Sequence, residues 1–220
     1  MSSLDHRVVR TDPWHVVQPG HNGGRCFGCA DDYANLHASL ALLLQRIPCA
    51  VHAYALLPGE VHLLLTAADA ASVPRLLGAM SEVTGAASAG KGTGRDARWA
   101  ERYRATAVVD GDDVLACCRQ LELLPMESGL VSAPAQYRWS SHVANAFGRG
   151  DAVVTPHARY LALGATPELR RSAYRTLFEF AACDRPARGP RSSPAPAGAG
   201  RIAEWRRRFA GRRSGDDRRS

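Results

Sequence analysis

The 220-residue sequence predicts an α+β protein built on an antiparallel β-sheet with its helices packed on one face. Two observations favour this fold class. Short runs rich in Val, Leu and Ala alternate along the chain with longer stretches in which leucines recur at helical spacing. A Pro58-Gly59 pair between two apolar runs marks a tight hairpin, which joins antiparallel strands. No apolar run approaches the roughly 20 residues that cross a bilayer, so we expect no membrane partner.

The first half of the chain is expected to form a strand, a helix and a hairpin. Residues 14–17 predict the first strand, and a Gln-Pro-Gly sequence follows it. Asp31 and Asp32 are placed to cap a helix that runs to about Arg46. Leucines recur at helical spacing in this stretch, at positions 36, 40, 43 and 44. Residues 51–56 and 61–65 are then the two strands of the hairpin.

The second half of the domain adds two helices and a strand. Residues 73–87 predict a second helix, and the Gly-rich residues 90–95 predict a loop. A strand is expected over residues 104–109. An Asp-Asp pair at residues 112–113 then begins a third helix. The resulting order, β-α-β-β-α-β, resembles a ferredoxin-like sheet with helices on one side.

We expect the chain to divide into three segments. Residues 1–150 form the α+β domain, residues 151–184 a C-terminal helical extension, and residues 185–220 a disordered basic tail. A length of 220 residues leaves room for one domain with a substantial core plus appendages. The start of the tail is rich in Arg, Pro, Gly and Ser, and such a segment cannot bury enough apolar surface to fold.

The positive charge of the chain is concentrated in that tail. Residues 185–220 hold 11 arginines and three acidic residues, so the tail contributes +8 to a formal net charge of +7. Arginines neutralise phosphates and release counterions, which favours a nucleic-acid-binding arm. The alternatives are a solvated tail that aids solubility and the remnant of a longer C-terminal segment. Residues 1–7 lead into no secretory apolar region, so we expect a cytoplasmic protein.

Glu60 and His62 are the first candidates for a functional site. They lie two residues apart at the start of a predicted strand, so their side chains project from the same face. A carboxylate and an imidazole in this arrangement are able to share a divalent metal. The alternative is an ordinary strand with an acidic residue at its mouth and a histidine satisfied by its neighbours.

Several blocks of the sequence together resemble one family. Residues 51–64, with the sequence Val-His-Ala-Tyr-Ala-Leu-Leu-Pro-Gly-Glu-Val-His-Leu-Leu, are similar to the core of the REP-associated tyrosine transposases. These are single-tyrosine HUH transposases related to small insertion-sequence enzymes. Further blocks follow in the family's order over residues 8–180, and they are Trp14-His15-Val16-Val17, Arg102-Tyr103-Arg104-Ala105, Gly129-Leu130-Val131, Tyr137-Arg138-Trp139-Ser140-Ser141-His142 and the segment at residues 155–164.

The resemblance also shows where this chain departs from the family. The family has a histidine as its first metal ligand, and Glu60 occupies that position here. Alignment on Pro125 and Gly129 places Gln120 at the position of the family's nucleophilic tyrosine. The same alignment places Leu124 at an asparagine position that is a plausible third metal ligand in the family. His62 is the expected site residue that is retained.

These departures determine the expected activity. Strand transfer requires a side-chain hydroxyl that bonds covalently to DNA, and the amide of Gln120 has none. Glu60 and His62 are expected to hold Mg or Mn only weakly. The resemblance therefore implies a transposase-family protein that recognises single-stranded hairpin or palindromic DNA, as a monomer or homodimer, with cleavage and strand transfer lost. The alternative is an active metal-dependent transposase or nuclease with a relocated nucleophile.

The region between residues 91 and 104 is the candidate DNA-contacting segment. Cations and aromatic side chains alternate there, which suits phosphate contact and base stacking on single-stranded or hairpin DNA. The alternative is a solvated loop anchored by a tryptophan. The candidate residues are Lys91, Arg95, Arg98, Trp99, Arg102, Tyr103 and Arg104.

Overall fold

The computed structural model describes residues 12–89, 99–109 and 111–183. The predicted tail lies outside the described residues, as do Lys91, Arg95 and Arg98. The strands are β1 (Trp14–Pro19), β2 (Cys49–Leu57), β3 (Glu60–Ala67) and β4 (Arg104–Ala107). The helices are α1 (Ala30–Leu43), α2 (Ser72–Ala89), α3 (Gly111–Glu127), α4 (His142–Phe147), α5 (Ala158–Leu161) and α6 (Pro167–Cys183). Within the described ranges no helix is long and apolar enough to cross a membrane.

The four strands form one antiparallel sheet in the order β2-β3-β1-β4. The hairpin at Pro58-Gly59 pairs β2 with β3, and β1 lies between β3 and β4. Val17 of β1 is opposite both His62 of β3 and Arg104 of β4. Residues paired across strands share a face of the sheet, so this register brings side chains from three strands to one surface. The predicted α+β class and its antiparallel sheet are confirmed.

The helices pack on both faces of the sheet, whereas the sequence predicted one. Val16 and Leu63 point toward α1 and α2, where Leu36 and Met80 are fully buried. Leu64 points to the opposite face, and α3 covers it. The reason is that every residue of β3 from position 61 to 65 is buried, so both faces of this strand need a covering layer.

The chain after α3 completes the outer edge of the sheet. Ser141 Oγ accepts a hydrogen bond from the amide of Tyr54 at 3.0 Å, and the amide of Leu56 donates to the carbonyl of Trp139 at 2.9 Å. The amide of Thr155 donates to the carbonyl of Val51 at 2.7 Å. These contacts satisfy backbone groups that a free edge strand would leave open. Tyr174 of α6 is also buried on the α3 side of the sheet.

Asp32 shows how a local signal in the sequence sets a helix start. Its Oδ2 accepts hydrogen bonds from the amides of Gly28 at 2.7 Å and Cys29 at 3.3 Å. These contacts close the first turn of α1, because amides before the helix have no intrahelical acceptor. The helix ends at Leu43, three residues before the predicted end at Arg46.

Candidate functional site

Glu60 and His62 lie on the sheet face that α3 covers. His62 is fully buried and its Nε2 lies 3.0 Å from Glu60 Oε1. The distance is short, but the atoms are not aligned for a good hydrogen bond, so the contact is a close approach of the imidazole to the carboxylate. Burial acts to raise the pKa of Glu60, but the contacts with His62 and Arg104 outweigh it and lower that pKa.

His15 is a member of this site that the sequence analysis did not select. It lies on β1, and its Nε2 is 3.2 Å from Nδ1 of His62. The two rings stack at a centroid distance of 5.4 Å. The sequence contained one indication of its importance, because His15 lies in the first strand and in one of the blocks that resemble the family. Only the β1–β3 register shows that it is next to His62.

Arg104 brings a positive charge to the same site. The residue was predicted as a DNA contact, and its Nη2 lies 3.4 Å from Glu60 Oε2. The Arg104 side chain is 41% exposed, so the guanidinium still faces solvent while it contacts the carboxylate. The four side chains therefore form a line of polar contacts that runs from His15 through His62 and Glu60 to Arg104. We call this line the β-face cluster.

The geometry of the β-face cluster does not fit a preformed metal site. Both ring nitrogens of His62 lie close to protein groups, and each oxygen of Glu60 has a charged or imidazole neighbour. Within the described parts of the chain, no group of three or more His, Cys, Asp or Glu is arranged to hold a metal ion. Binding of Mg or Mn at Glu60 and His62 stays a prediction, and it would require some of these contacts to be exchanged for metal ligation.

Gln120 lies half-buried on α3, the helix that covers the face with the β-face cluster. Its Nε2 donates a hydrogen bond to Glu127 Oε2 at 3.1 Å, two helical turns further along α3. Leu124 is half-buried one turn after Gln120. Gln120 carries no hydroxyl, so position 120 supplies no nucleophilic oxygen, and the hydrocarbon side chain of Leu124 supplies no third metal ligand.

Five of the six tyrosines are withdrawn from solvent, at least in part. Tyr54 pairs with Leu63 and so projects from the face away from His62, and its hydroxyl donates to Asp151 Oδ2 at 2.8 Å. The hydroxyls of Tyr137 and Tyr160 donate to backbone carbonyls. Tyr33 and Tyr174 are buried. The exception is Tyr103, which is 36% exposed and directly precedes Arg104.

The predicted DNA-contacting residues fall into two environments. Arg102 and Tyr103 are exposed beside β4. Trp99 instead is buried: its Nε1 donates to Thr84 Oγ1 at 2.7 Å, and its ring meets the Phe27 ring edge-on at 5.9 Å. Because the indole is part of the core, it presents no free face for base stacking. This geometry favours the alternative interpretation of the segment, in which Trp99 anchors a solvated loop.

A buried network around Glu122 is a second feature that the sequence analysis missed. Glu122 is fully buried on α3, and its Oε1 accepts hydrogen bonds from Ser141 Oγ at 2.7 Å and Asn145 Nδ2 at 2.9 Å. Its Oε2 lies 3.0 Å from His142 Nδ1. A buried carboxylate requires such partners, so the network ties α3 to α4. The sequence held one indication of this network, which is an acidic residue inside the otherwise apolar run Leu121–Leu124.

Comparison with solved structures identifies a shared fold. The chain is similar to a REP-associated tyrosine transposase bound to a REP hairpin, with a TM-score of 0.53 and 14% identity over 71% of this chain and 93% of that chain. A candidate transposase from Deinococcus radiodurans R1 is also similar, with a TM-score of 0.39 and 15% identity over 53% of this chain and 93% of that chain. No protein-family model and no curated protein sequence matches the chain. The first of these structures shows that the chain shares its α+β fold.

Proposed function

We propose that this protein is a transposase-like DNA-binding protein that recognises single-stranded or hairpin DNA, with cleavage and strand transfer lost. The proposal rests on Gln120, which the sequence resemblance aligns with the family's nucleophilic tyrosine. This residue lies on α3, the helix that covers the sheet face with the β-face cluster. A transposase of this kind has to conserve bond energy in a covalent link between protein and DNA. An amide cannot form that link.

The contacts within the β-face cluster support the same proposal. A catalytic metal would polarise the scissile phosphate and orient it. Here Glu60 has Arg104 and His62 as neighbours, and His62 has His15 as its second neighbour. The guanidinium of Arg104 therefore balances the carboxylate of Glu60 within the protein. The cluster then serves to hold β1, β3 and β4 together rather than to activate phosphate.

DNA binding itself is expected to use the exposed side of β4. Arg102 and the solvent-facing part of Arg104 are suited to phosphate contact, and Tyr103 is suited to stacking on an unpaired base. Arginine contacts with phosphate dominate affinity and make it dependent on salt. We expect the protein to act in the cytoplasm, as a monomer or a homodimer, without a membrane partner.

A nicking assay tests this proposal. A labelled DNA hairpin with single-stranded flanks is incubated with the full chain in the presence of Mg or Mn, and the products are separated under denaturing conditions. We expect a protein–DNA complex in a native gel, no shortened DNA and no covalent adduct. A covalent adduct would overturn the loss of cleavage, and peptide mapping of the adduct would identify the nucleophile.

The second candidate is an active metal-dependent transposase or nuclease with a relocated nucleophile. The exposure of Tyr103 favours it, because this phenol is accessible and the next residue contacts Glu60. In that case cleavage would require metal and would disappear in His62→Ala. A loss of cleavage in Tyr103→Phe, with hairpin binding retained, would assign the nucleophile. Cleavage by Tyr103→Phe at the wild-type rate would exclude this tyrosine.

A further inference from the structure

A concave surface lies between α4, α5 and α6, on a part of the molecule that the proposed site does not include. Its volume is about 280 Å³. Three arginines contribute to its wall, and they are Arg149, Arg170 and Arg171. Asn145 and the backbone of Gly148 lie on the α4 side. We call this surface the arginine pocket.

Two of the three guanidinium groups are held in fixed positions. Arg170 donates through Nε to the carbonyl of Gly164 at 2.8 Å and through Nη2 to the carbonyl of Ala165 at 3.1 Å. Arg171 donates through Nε to the carbonyl of Pro167 at 3.1 Å, and its guanidinium lies directly against Gly148. Each guanidinium carries five N–H donors, so both retain donors that these contacts do not use.

The third guanidinium is available for a ligand. Arg149 is exposed and follows the C-terminal glycine of α4, and the contacts described for this part of the chain give its side chain no partner. The pocket also contains one carboxylate, Asp151. Its oxygens already accept hydrogen bonds from Tyr54 and from the amide of Val153, and His37 Nε2 lies 3.0 Å away.

The charge balance of the pocket therefore favours an anion. Asp151 is directed to its own partners, and Glu168, which is not part of the pocket lining, pairs with Arg171 at 2.6 Å. Arg149 and Arg170 carry charges without a carboxylate partner among the described contacts. Arginine suits phosphate because its planar fork of donors matches two oxygens at once.

We propose that the arginine pocket binds a backbone phosphate of the DNA, as a contact that positions the strand without reading its sequence. The inference rests on the proposed DNA-binding function. Phosphate contacts fix the register of a nucleic acid on a protein, and each one adds to the salt dependence of binding. The pocket extends the expected DNA contact from β4 to the segment formed by α4, α5 and α6.

Charge reversal at Arg149 tests the inference. We compare the wild type, Arg149→Glu and Arg46→Glu by fluorescence anisotropy with a labelled DNA hairpin at two salt concentrations. Arg46 is also exposed and lies outside the pocket, so this variant matches the change in net charge. We expect Arg149→Glu to bind roughly tenfold more weakly, as for a lost charged hydrogen bond. The salt slope should fall by about 0.7–0.9, the value for one phosphate.

This comparison distinguishes a failure of the pocket proposal from a failure of the proposed DNA-binding function. If the wild type binds DNA and both variants lose the same affinity, the proposal that the pocket binds phosphate is wrong and the proposed function stands. If the wild type does not bind DNA, the proposed function fails, and inorganic phosphate becomes the probe. Amide NMR shifts at Gly148 and Arg170 that respond to phosphate but not to chloride would then support the pocket, and unchanged shifts would overturn it.

Discussion

Replacing Glu122 by alanine should destabilise the protein through the buried network between α3 and α4. The carboxylate is fully buried and has three polar neighbours, Ser141, His142 and Asn145. Removing one partner of a buried charged network leaves the others desolvated and unpaired, which typically costs about 3–5 kcal/mol. The side chain also leaves a cavity in a packed interior.

The local geometry places the expected cost at the lower end of that range. Ser141 Oγ has a second acceptor in the carbonyl of Tyr54 at 3.4 Å, and Asn145 Nδ2 has one in the carbonyl of His52 at 3.2 Å. His142 Nδ1 is the group most dependent on Glu122. We therefore expect a loss of about 3 kcal/mol for Glu122→Ala. For a domain of this size the melting temperature should fall by roughly 6–12 °C.

Glu127→Ala provides the matched control, because it is the same substitution on the same helix. Glu127 is only half-buried near the C-terminus of α3 and contacts Gln120. Its loss should change the free energy of unfolding by no more than about 0.5 kcal/mol. Thermal and urea unfolding followed by circular dichroism measure both variants. Equal melting temperatures for the two would refute the argument that the Glu122 network stabilises the fold.

Three further predictions follow from individual contacts. Burial lowers the pKa of His52 to about 4, so stability is full above its ordinary pKa of 6.5 and declines as pH falls toward 4. In His52→Gln this decline in the free energy of unfolding should be smaller by up to about 3 kcal/mol, as measured by urea unfolding at a series of pH values. The pKa of Glu60 is lowered, so its contribution is present above 4.5 and disappears at lower pH, and Glu60→Gln should flatten the acid limb of the same curve. Gly148→Ala should cost more than Gly129→Ala in thermal unfolding. Both glycines have φ near 73°, but an added Cβ meets the Arg171 guanidinium only at Gly148. Equal costs would show that backbone strain alone accounts for the effect.

Much of the fold follows from local pattern in the sequence. The Pro58-Gly59 turn and the apolar runs around it predict the hairpin, and the spacing of leucines predicts α1. These signals succeed because the residues that define a turn or the apolar stripe of a helix are close together in the chain. The common face of Glu60 and His62 follows from the period of a strand, and the lack of a tyrosine at position 120 needs no structure at all.

Tertiary structure alone decided which distant residues share the site. His15 meets His62, and Arg104 meets Glu60, because β1 lies between β3 and β4 in one register. The burial of Trp99 and the network of Glu122 depend in the same way on segments far apart in the chain. The alternating pattern of a strand predicts which of its side chains share a face, but it does not predict which other strand pairs with it. Partner choice is set by long-range packing, and no local period records it.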